Sequence, residues 1–316
     1  MYVLEVTIEK KIGDFALKAA FSVQEGEVFG LLGESGCGKS MTLRCIAGIE
    51  TPDSGKIILN GKTLFDSEKR INLPPQKRKV GYLFQDYALF PNMTVYENLK
   101  IVVKKPELVE KYLKQFYLSG LENHYPSMLS GGQKQRCAIA RMMAAQPELL
   151  LFDEPFSAVD QNLKWNLELQ VKNIMDETKK PAIFVTHNRQ EIDHFCQRAG
   201  ILSYGEMKEV GRCQELFHHP KTAAAAKLSG CKNVLAVKDY AFSYVGIPQE
   251  AMTMEGEGKS IKGVVQQIFL EKDQKVLAIQ VENRILYYEA DLDVEIDCGE
   301  EIHLAIDPEK IWKLSR

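Results

Sequence analysis

Gly33-Glu34-Ser35-Gly36-Cys37-Gly38-Lys39-Ser40 is the stretch on which the fold turns. It follows the apolar run Val28-Phe29-Gly30-Leu31-Leu32 and precedes Leu43, Ile46 and Ala47 at helical spacing, with Gly48 placed as the helix C-cap. Strand, glycine-rich loop and helix in that order supply the context that the pattern G-x-x-x-x-G-K-[ST] requires. The glycines let backbone N–H groups converge on phosphate oxygens, Lys39 sets a cation beside the β and γ phosphates, and the Ser40 hydroxyl can ligate Mg²⁺. A nucleoside triphosphate site is expected over Gly33, Glu34, Ser35, Gly36, Cys37, Gly38, Lys39 and Ser40.

Leu149-Leu150-Leu151-Phe152 and Ala182-Ile183-Phe184-Val185 are short apolar runs behind Pro147 and Pro181, as expected of strands covered on both faces. Leu163, Leu167, Val171 and Ile174 mark one stripe of a crossover helix between them, so a parallel central sheet is predicted. The first run ends in Asp153-Glu154, two carboxylates at the end of a buried strand. Asp153 is placed to hold Mg²⁺, and Glu154 to polarise a water for in-line transfer. Upstream, Leu129-Ser130-Gly131-Gly132-Gln133 opens a helix whose Ala138, Ile139, Met142 and Met143 share one side. Ser130 is its N-cap, and Gly131 and Gly132 leave the helix end open to an anion.

At the N-terminus Leu4, Val6 and Ile8, then Phe15, Leu17, Ala19, Phe21 and Val23, alternate at period two, as two strands of a hairpin do. Residues 1–230 therefore read as an α/β unit. Past Ala223 to Leu228 and Ser229-Gly230 the helical period fades. Leu277, Ile279 and Val281, a turn at Glu282-Asn283, Ile285 and Tyr287, then Ile302, Leu304 and Ile306 give a small β-domain over residues 231–316. A length of 316 residues suits about two such domains.

The 40 basic and 43 acidic side chains leave a net charge of -3, so no overall positive field exists to hold nucleic acid. No apolar run reaches the ~18–20 residues of a membrane span, and Met1 to Lys11 alternates rather than forming a signal core, so a cytoplasmic location is expected. The seven cysteines show no C-x-x-C pair and no zinc spacing and read as reduced thiols. Cys37 has no His or Asp in its motif to activate it.

With these motifs in this order, residues 1–230 resemble the ATP-binding-cassette (ABC) ATPases. Gly33 to Ser40 is similar to the Walker A loop, Gln85 to the Q-loop glutamine, and Ser130, Gly131, Gly132 and Gln133 to the family signature. Leu149 to Asp153 resembles the Walker B strand with Glu154 as catalytic base, Ser157 to Asp160 the D-loop, and His187 the switch histidine. The resemblance implies a mixed central sheet with a helical subdomain over about 86–145, ATP and Mg²⁺ as cofactors, and Ser40, Gln85 and Asp153 around the metal. It also implies a second copy of the chain, each ATP lying between one Walker A loop and the partner's signature. Two positions depart from the family pattern. Met41 stands where a second hydroxyl residue contacts the α-phosphate, and Thr42 lies about 100° further round the helix. For the aromatic that stacks on adenine, Phe15 is the nearest candidate, a core role being the alternative.

Within that family, Leu73 to Asp86 and Gly61 to Asp66 resemble the molybdate, tungstate and sulfate importer ATPases, although iron, polyamine and sugar importers share much of the wording. The C-terminal Asp307-Pro308-Glu309-Lys310-Ile311 resembles the β-rich regulatory domains (MOP/TOBE-like, OB-type) of this importer group. The implied role is an ATP-hydrolysing subunit peripheral on the inner face of the cell membrane. Permease subunits would dock around Tyr87 to Pro91, whose aromatics read as an exposed cluster or as local core, and a solute-binding protein would act indirectly. The C-terminal domain would regulate transport or join two copies. A soluble cassette ATPase acting on ribosomes or DNA is the alternative from another class. Lys77-Arg78-Lys79 reads as a solvated charged face.

Overall fold

Residues 2–103, 105–157, 161–237, 242–254, 259–271 and 273–315 are described in the computed structural model. The expected hairpin forms: β1 (Tyr2–Ile12) pairs antiparallel with β2 (Phe15–Gln24), with Val6 opposite Phe21 and Ile8 opposite Ala19. Leu4, Val6, Ile8, Leu17, Ala19, Phe21 and Val23 are all buried, because an apolar period of two puts every one of them on the covered face. β3 (Val28–Leu32) follows, buried along its whole length, and leads through the glycine loop into α1 (Lys39–Ala47). Gly48 ends that helix at φ 81°, a conformation that glycine adopts without strain.

β4 (Ser54–Leu59), β5 (Lys62–Asp66) and β6 (Ile71–Asn72) extend the hairpin sheet, and β7 (Val80–Leu83) starts the opposite edge. The helices α2 (Val95–Lys100), α3 (Pro106–Gln115) and α4 (Gly131–Ala144) occupy the stretch up to β8 (Leu149–Asp153). Then come α5 (Gln161–Thr178), β9 (Ala182–Thr186), α6 (Arg189–Phe195), β10 (Arg198–Ser203) and β11 (Glu206–Arg212). Leu167 and Val171 of the predicted α5 stripe are buried and Ile174 is half-buried, while the side chain of Leu163 lies outside the described residues.

The strands make one eleven-stranded mixed sheet in the order β6-β5-β4-β1-β2-β11-β10-β3-β9-β8-β7. Its core, β10-β3-β9-β8-β7, is parallel, with Leu32 beside Thr186, Val185 beside Asp153 and Phe152 beside Leu83. The carboxyl ends of β3, β9, β8 and β7 therefore share one edge of the sheet. In open α/β sheets that edge is where ligands bind.

Arg78 corrects one sequence expectation. It is not solvated but 1% exposed, against the C-terminus of α1. Its Nη1 donates to the carbonyls of Cys45 and Ile46 at 2.8 and 2.9 Å, its Nε to Leu73 O at 2.7 Å, and its Nη2 to Asn72 Oδ1 at 2.8 Å. A cation on the last carbonyls of a helix meets the negative end of its dipole. An ideal Cβ on Gly48 would lie 2.5 Å from Arg78 Nε, so the glycine C-cap also makes room for the guanidinium.

The chain divides into two compact units, Met1–Cys213 and Gln214–Arg316. Residues 214–230, which the sequence reading assigns with the cassette, fall in the second unit. There the N–H of Ala223 donates to Ser315 O, and that of Ser315 to Lys221 O. After α7 (Cys213–His218), this unit holds α8 (Ala223–Leu228), a three-stranded antiparallel sheet of β12 (Asn233–Ala236), β13 (Tyr244–Ile247) and β19 (Trp312–Leu314), and a five-stranded one that includes β14 (Met252–Thr253), β15 (Lys259–Glu271) and β18 (Glu301–Ile306). In the latter, β16 (Gln274–Val281) and β17 (Arg284–Asp291) join at Glu282-Asn283 as expected, and Leu277 and Ile279 are buried. The two-residue turn sets Ile279 opposite Leu286, so Leu286 and Ala290 face the core and Ile285 is exposed. That phase is one residue off the expected one.

Candidate functional site

The phosphate loop is shaped by what its glycines exclude. An ideal Cβ on Gly33 would sit 2.2 Å from Leu202 O, and one on Gly38, at φ 108°, would sit 2.9 Å from Leu17 and 3.1 Å from the Phe15 ring. Within this loop the Lys39 amine is buried and donates to the carbonyls of Gly33 and Glu34 at 2.7 and 2.9 Å. A buried ammonium whose hydrogen-bond partners carry no full charge is well placed to receive an anion. Lys39 Nζ is also 4.0 Å from Cys37 Sγ. Burial pushes the Cys37 thiol up, outweighing the opposing pull of Lys39, and the side chain packs in the core cluster.

Ser40 and Asp153, which are far apart in sequence, meet because β3 and β8 end at one edge: Ser40 Oγ donates to Asp153 Oδ1 at 2.7 Å. The other carboxylate oxygen accepts from Tyr82 Oη at 2.7 Å. Burial first, and then the Asp153 charge, pushes the Tyr82 phenol up, so it stays a donor. A carboxylate and a hydroxyl side by side under a phosphate loop match the way Mg²⁺ is held by few protein oxygens and completed by substrate phosphates. Glu154 follows at φ 45°, a left-handed conformation uncommon for a residue with a side chain. Its N–H donates to Val185 O at 2.9 Å, and its Oε2 lies 3.4 Å from Nδ1 of the exposed His187 at the end of β9.

The remaining predicted residues stand apart from this cluster. Gln85 is exposed in the turn after β7 and, among the described residues, is hydrogen-bonded to neither Ser40 nor Asp153. Ser130 caps α4 in a reciprocal box, its Oγ accepting from Gln133 N at 3.3 Å and Gln133 Oε1 accepting from Ser130 N at 2.8 Å. A Cβ on Gly131 would meet nothing within 4 Å, so this helix end is open at its first glycine, whereas Gly132, expected to be open as well, is buried and a Cβ there would lie 3.2 Å from Leu167. None of Ser130, Gly131, Gly132 and Gln133 borders the cavity beside the phosphate loop. Met41 packs half-buried against the core, and Thr42 Oγ1 donates back to Gly38 O at 3.0 Å, so neither presents a hydroxyl to a phosphate. Phe15 both packs against the core and borders the cavity beside the loop. Asp160 lies outside the described residues.

Around Tyr87 to Pro91 the two readings divide residue by residue. Tyr87 is buried, Leu89 half-buried and Phe90 exposed. Arg141 on α4 ties the segment down, donating to Ala88 O at 2.7 Å with its guanidinium 5.1 Å from the Phe90 ring centre.

Comparison with known proteins agrees with this geometry. The family described as ABC transporter matches residues 17–157. Sulfate/thiosulfate import ATP-binding protein CysA of a Synechocystis strain is 34% identical over 307 residues, covering 94% of this chain and 84% of that protein. The chain belongs to the ATP-binding subunits of ABC importers. The chain is also 39% identical over 238 residues to spermidine/putrescine import ATP-binding protein PotA of Thermotoga maritima, covering 72% of this chain and 63% of that protein. Among solved structures, the dimeric, post-hydrolysis ATP-binding cassette MJ0796 bound to ADP and Pi aligns with a TM-score of 0.56 and 27% identity, over 66% of this chain and 98% of that one. ATP with Mg²⁺ is accordingly the ligand pair of this cassette. Tyr82, to which the sequence analysis gives no role in the site, joins it through Asp153. Its position two residues after the start of a strand that ends at the ligand edge is the signal that could have found it.

Proposed function

We propose that the chain hydrolyses ATP as a head-to-tail dimer on the inner face of the cell membrane, powering uptake of a small oxyanion of the sulfate, molybdate and tungstate class. In this reading Glu154 accepts a proton from the attacking water, and His187, 3.4 Å from it, helps hold that carboxylate and the γ-phosphate in line. Lys39 and the loop amides bind the phosphates, and Ser40 and Asp153 hold the metal, with Gln85 completing the site on closure. Mg²⁺, when bound with ATP, supplies positive charge against the charge that develops on the phosphates. Ser130 to Gln133 and Asp160 act on the partner's nucleotide, which explains why the signature stands away from its own chain's phosphate loop.

The observation that carries the oxyanion assignment is that, of the matches compared, the one reaching furthest along the chain is to a sulfate/thiosulfate protein. The match to the sulfate/thiosulfate protein spans 94% of the chain and so takes in both structural units. Polyamine uptake is the second reading: spermidine/putrescine proteins reach higher identity over 72% of the chain, and one that is 36% identical matches 89% of it and so also takes in both units. Permease subunits would dock on the exposed side of Phe90, and residues 231–316 would regulate transport or join two copies. Deleting the gene and measuring uptake of labelled sulfate, molybdate and spermidine decides the substrate. Loss of oxyanion uptake alone supports the assignment, and loss of spermidine uptake alone overturns it.

A further inference from the structure

Tyr204 is 86% exposed and, with Gly205, makes the two-residue turn between β10 and β11, where Ser203 pairs with Glu206. Both turn residues have positive φ, 49° and 80°. Asn and Gly are the residues favoured in such a turn, and a bulky aromatic at its first position is an outlier. The turn is fastened to the start of β2. Lys18 N donates to Gly205 O at 2.6 Å, and an ideal Cβ on Gly205 would lie 2.0 Å from Ala16 O and 3.3 Å from the Phe15 ring. A strained, exposed tyrosine is thereby held in a fixed place.

That place borders a cavity of about 440 Å³ whose wall also includes Phe15 and, from the phosphate loop, Glu34 and Cys37. Asp14 and Glu206 add further negative charge, and Lys18 opposes it. Phosphates are repelled from such a lining and drawn to Lys39 and the loop amides, which fixes the polarity of a nucleotide: triphosphate on the loop, base in the cavity. A neutral base with N–H donors suits carboxylates at the rim and aromatic faces on the walls.

We propose that Tyr204 stacks on the base of the bound nucleotide and forms with Phe15 the aromatic walls of its pocket; this rests on the ATP reading above. Removing an aromatic that stacks on a base weakens binding roughly 5- to 100-fold. The informative variant is Tyr204→Asn. Asn is preferred at this turn position, so the variant retains or gains thermal stability without nucleotide while losing the ring. The full chain, Tyr204→Asn and Tyr204→Phe are titrated with ATP and, separately, with inorganic tripolyphosphate, which has no base. The expected result is weaker ATP binding for Tyr204→Asn alone, with tripolyphosphate binding unchanged and Tyr204→Phe close to the parent. Equal ATP affinity in the parent and Tyr204→Asn, or equal weakening of ATP and tripolyphosphate, overturns the role of Tyr204 and leaves the ATP reading intact. A parent chain that binds no ATP overturns both.

Discussion

Tyr82 Oη donates to Asp153 Oδ2 at 2.7 Å, on the oxygen that Ser40 leaves free. The Asp153 carboxylate is buried, and each of its oxygens is engaged by one hydroxyl, so its plane is set before any ligand arrives. Of the two hydroxyls, Ser40 belongs to the phosphate loop and Tyr82 to the neighbouring parallel strand, which ties the Asp153 carboxylate to two elements at once.

Replacing Tyr82 with Phe keeps the ring and deletes this donor. A hydrogen bond to a charged group contributes about 1.5 kcal/mol or more, so Asp153 loses roughly tenfold in its preference for the binding orientation. The expected outcome is a Mg²⁺ concentration for half-maximal ATP turnover raised several-fold, with kcat at saturating Mg²⁺ near the parent value. An unchanged Mg²⁺ dependence would show that Ser40 alone orients the carboxylate.

Glu154→Gln should bind ATP close to the parent affinity yet hydrolyse it at least ~10²-fold more slowly, since the amide cannot accept the water's proton. The left-handed backbone at Glu154 is retained because the side chain keeps its size. Size-exclusion chromatography with and without ATP checks the second consequence, a dimer that persists in ATP. Hydrolysis at the parent rate would remove Glu154 from the role of base.

What the sequence disclosed and what it hid follow from how each feature is encoded. The phosphate loop, the Asp153-Glu154 pair and the Ser130 cap are local patterns, so spacing and strand context located them. The eleven-stranded order is long-range, and no local period reports that Leu32 lies beside Thr186 while Leu202 presses on Gly33. Arg78 misled because a run of three cations looks solvated, whereas its partners Cys45, Ile46, Leu73 and Asn72 are backbone and amide oxygens scattered along the chain. Ile285 misled because a turn of known length decides the phase of a strand more strongly than its own alternation does.

The burial of Arg78 has a direct thermodynamic test. Arg78→Ala strips four donor contacts from the C-terminus of α1 and its surroundings and leaves a void beside Gly48, so stability should fall by about 3 kcal/mol or more. Lys77→Ala, at an exposed neighbour, should stay within about 0.5 kcal/mol of the parent. Denaturant unfolding of the two variants separates them. Equal stabilities would mean that the guanidinium contributes no more than a surface charge.

The proposed dimer makes its sharpest claim about the N-terminus of α4, because Ser130 caps α4 away from its own phosphate loop and Gly131 leaves the helix end open. If that end completes the partner's nucleotide site, Ser130→Arg should abolish ATP turnover while leaving ATP binding to the same chain's Lys39 loop in place. Lys39→Ala should fail for the opposite reason, by losing the charge-assisted contact to phosphate. Mixing the two inactive chains can then build a dimer in which one site pairs an intact Lys39 loop with an intact Ser130 helix and the other site has neither. Partial recovery of turnover in the mixture, rising with total protein concentration, is the expected result. Full turnover by a Ser130→Arg chain on its own would place the complete site within one chain and end the shared-site reading.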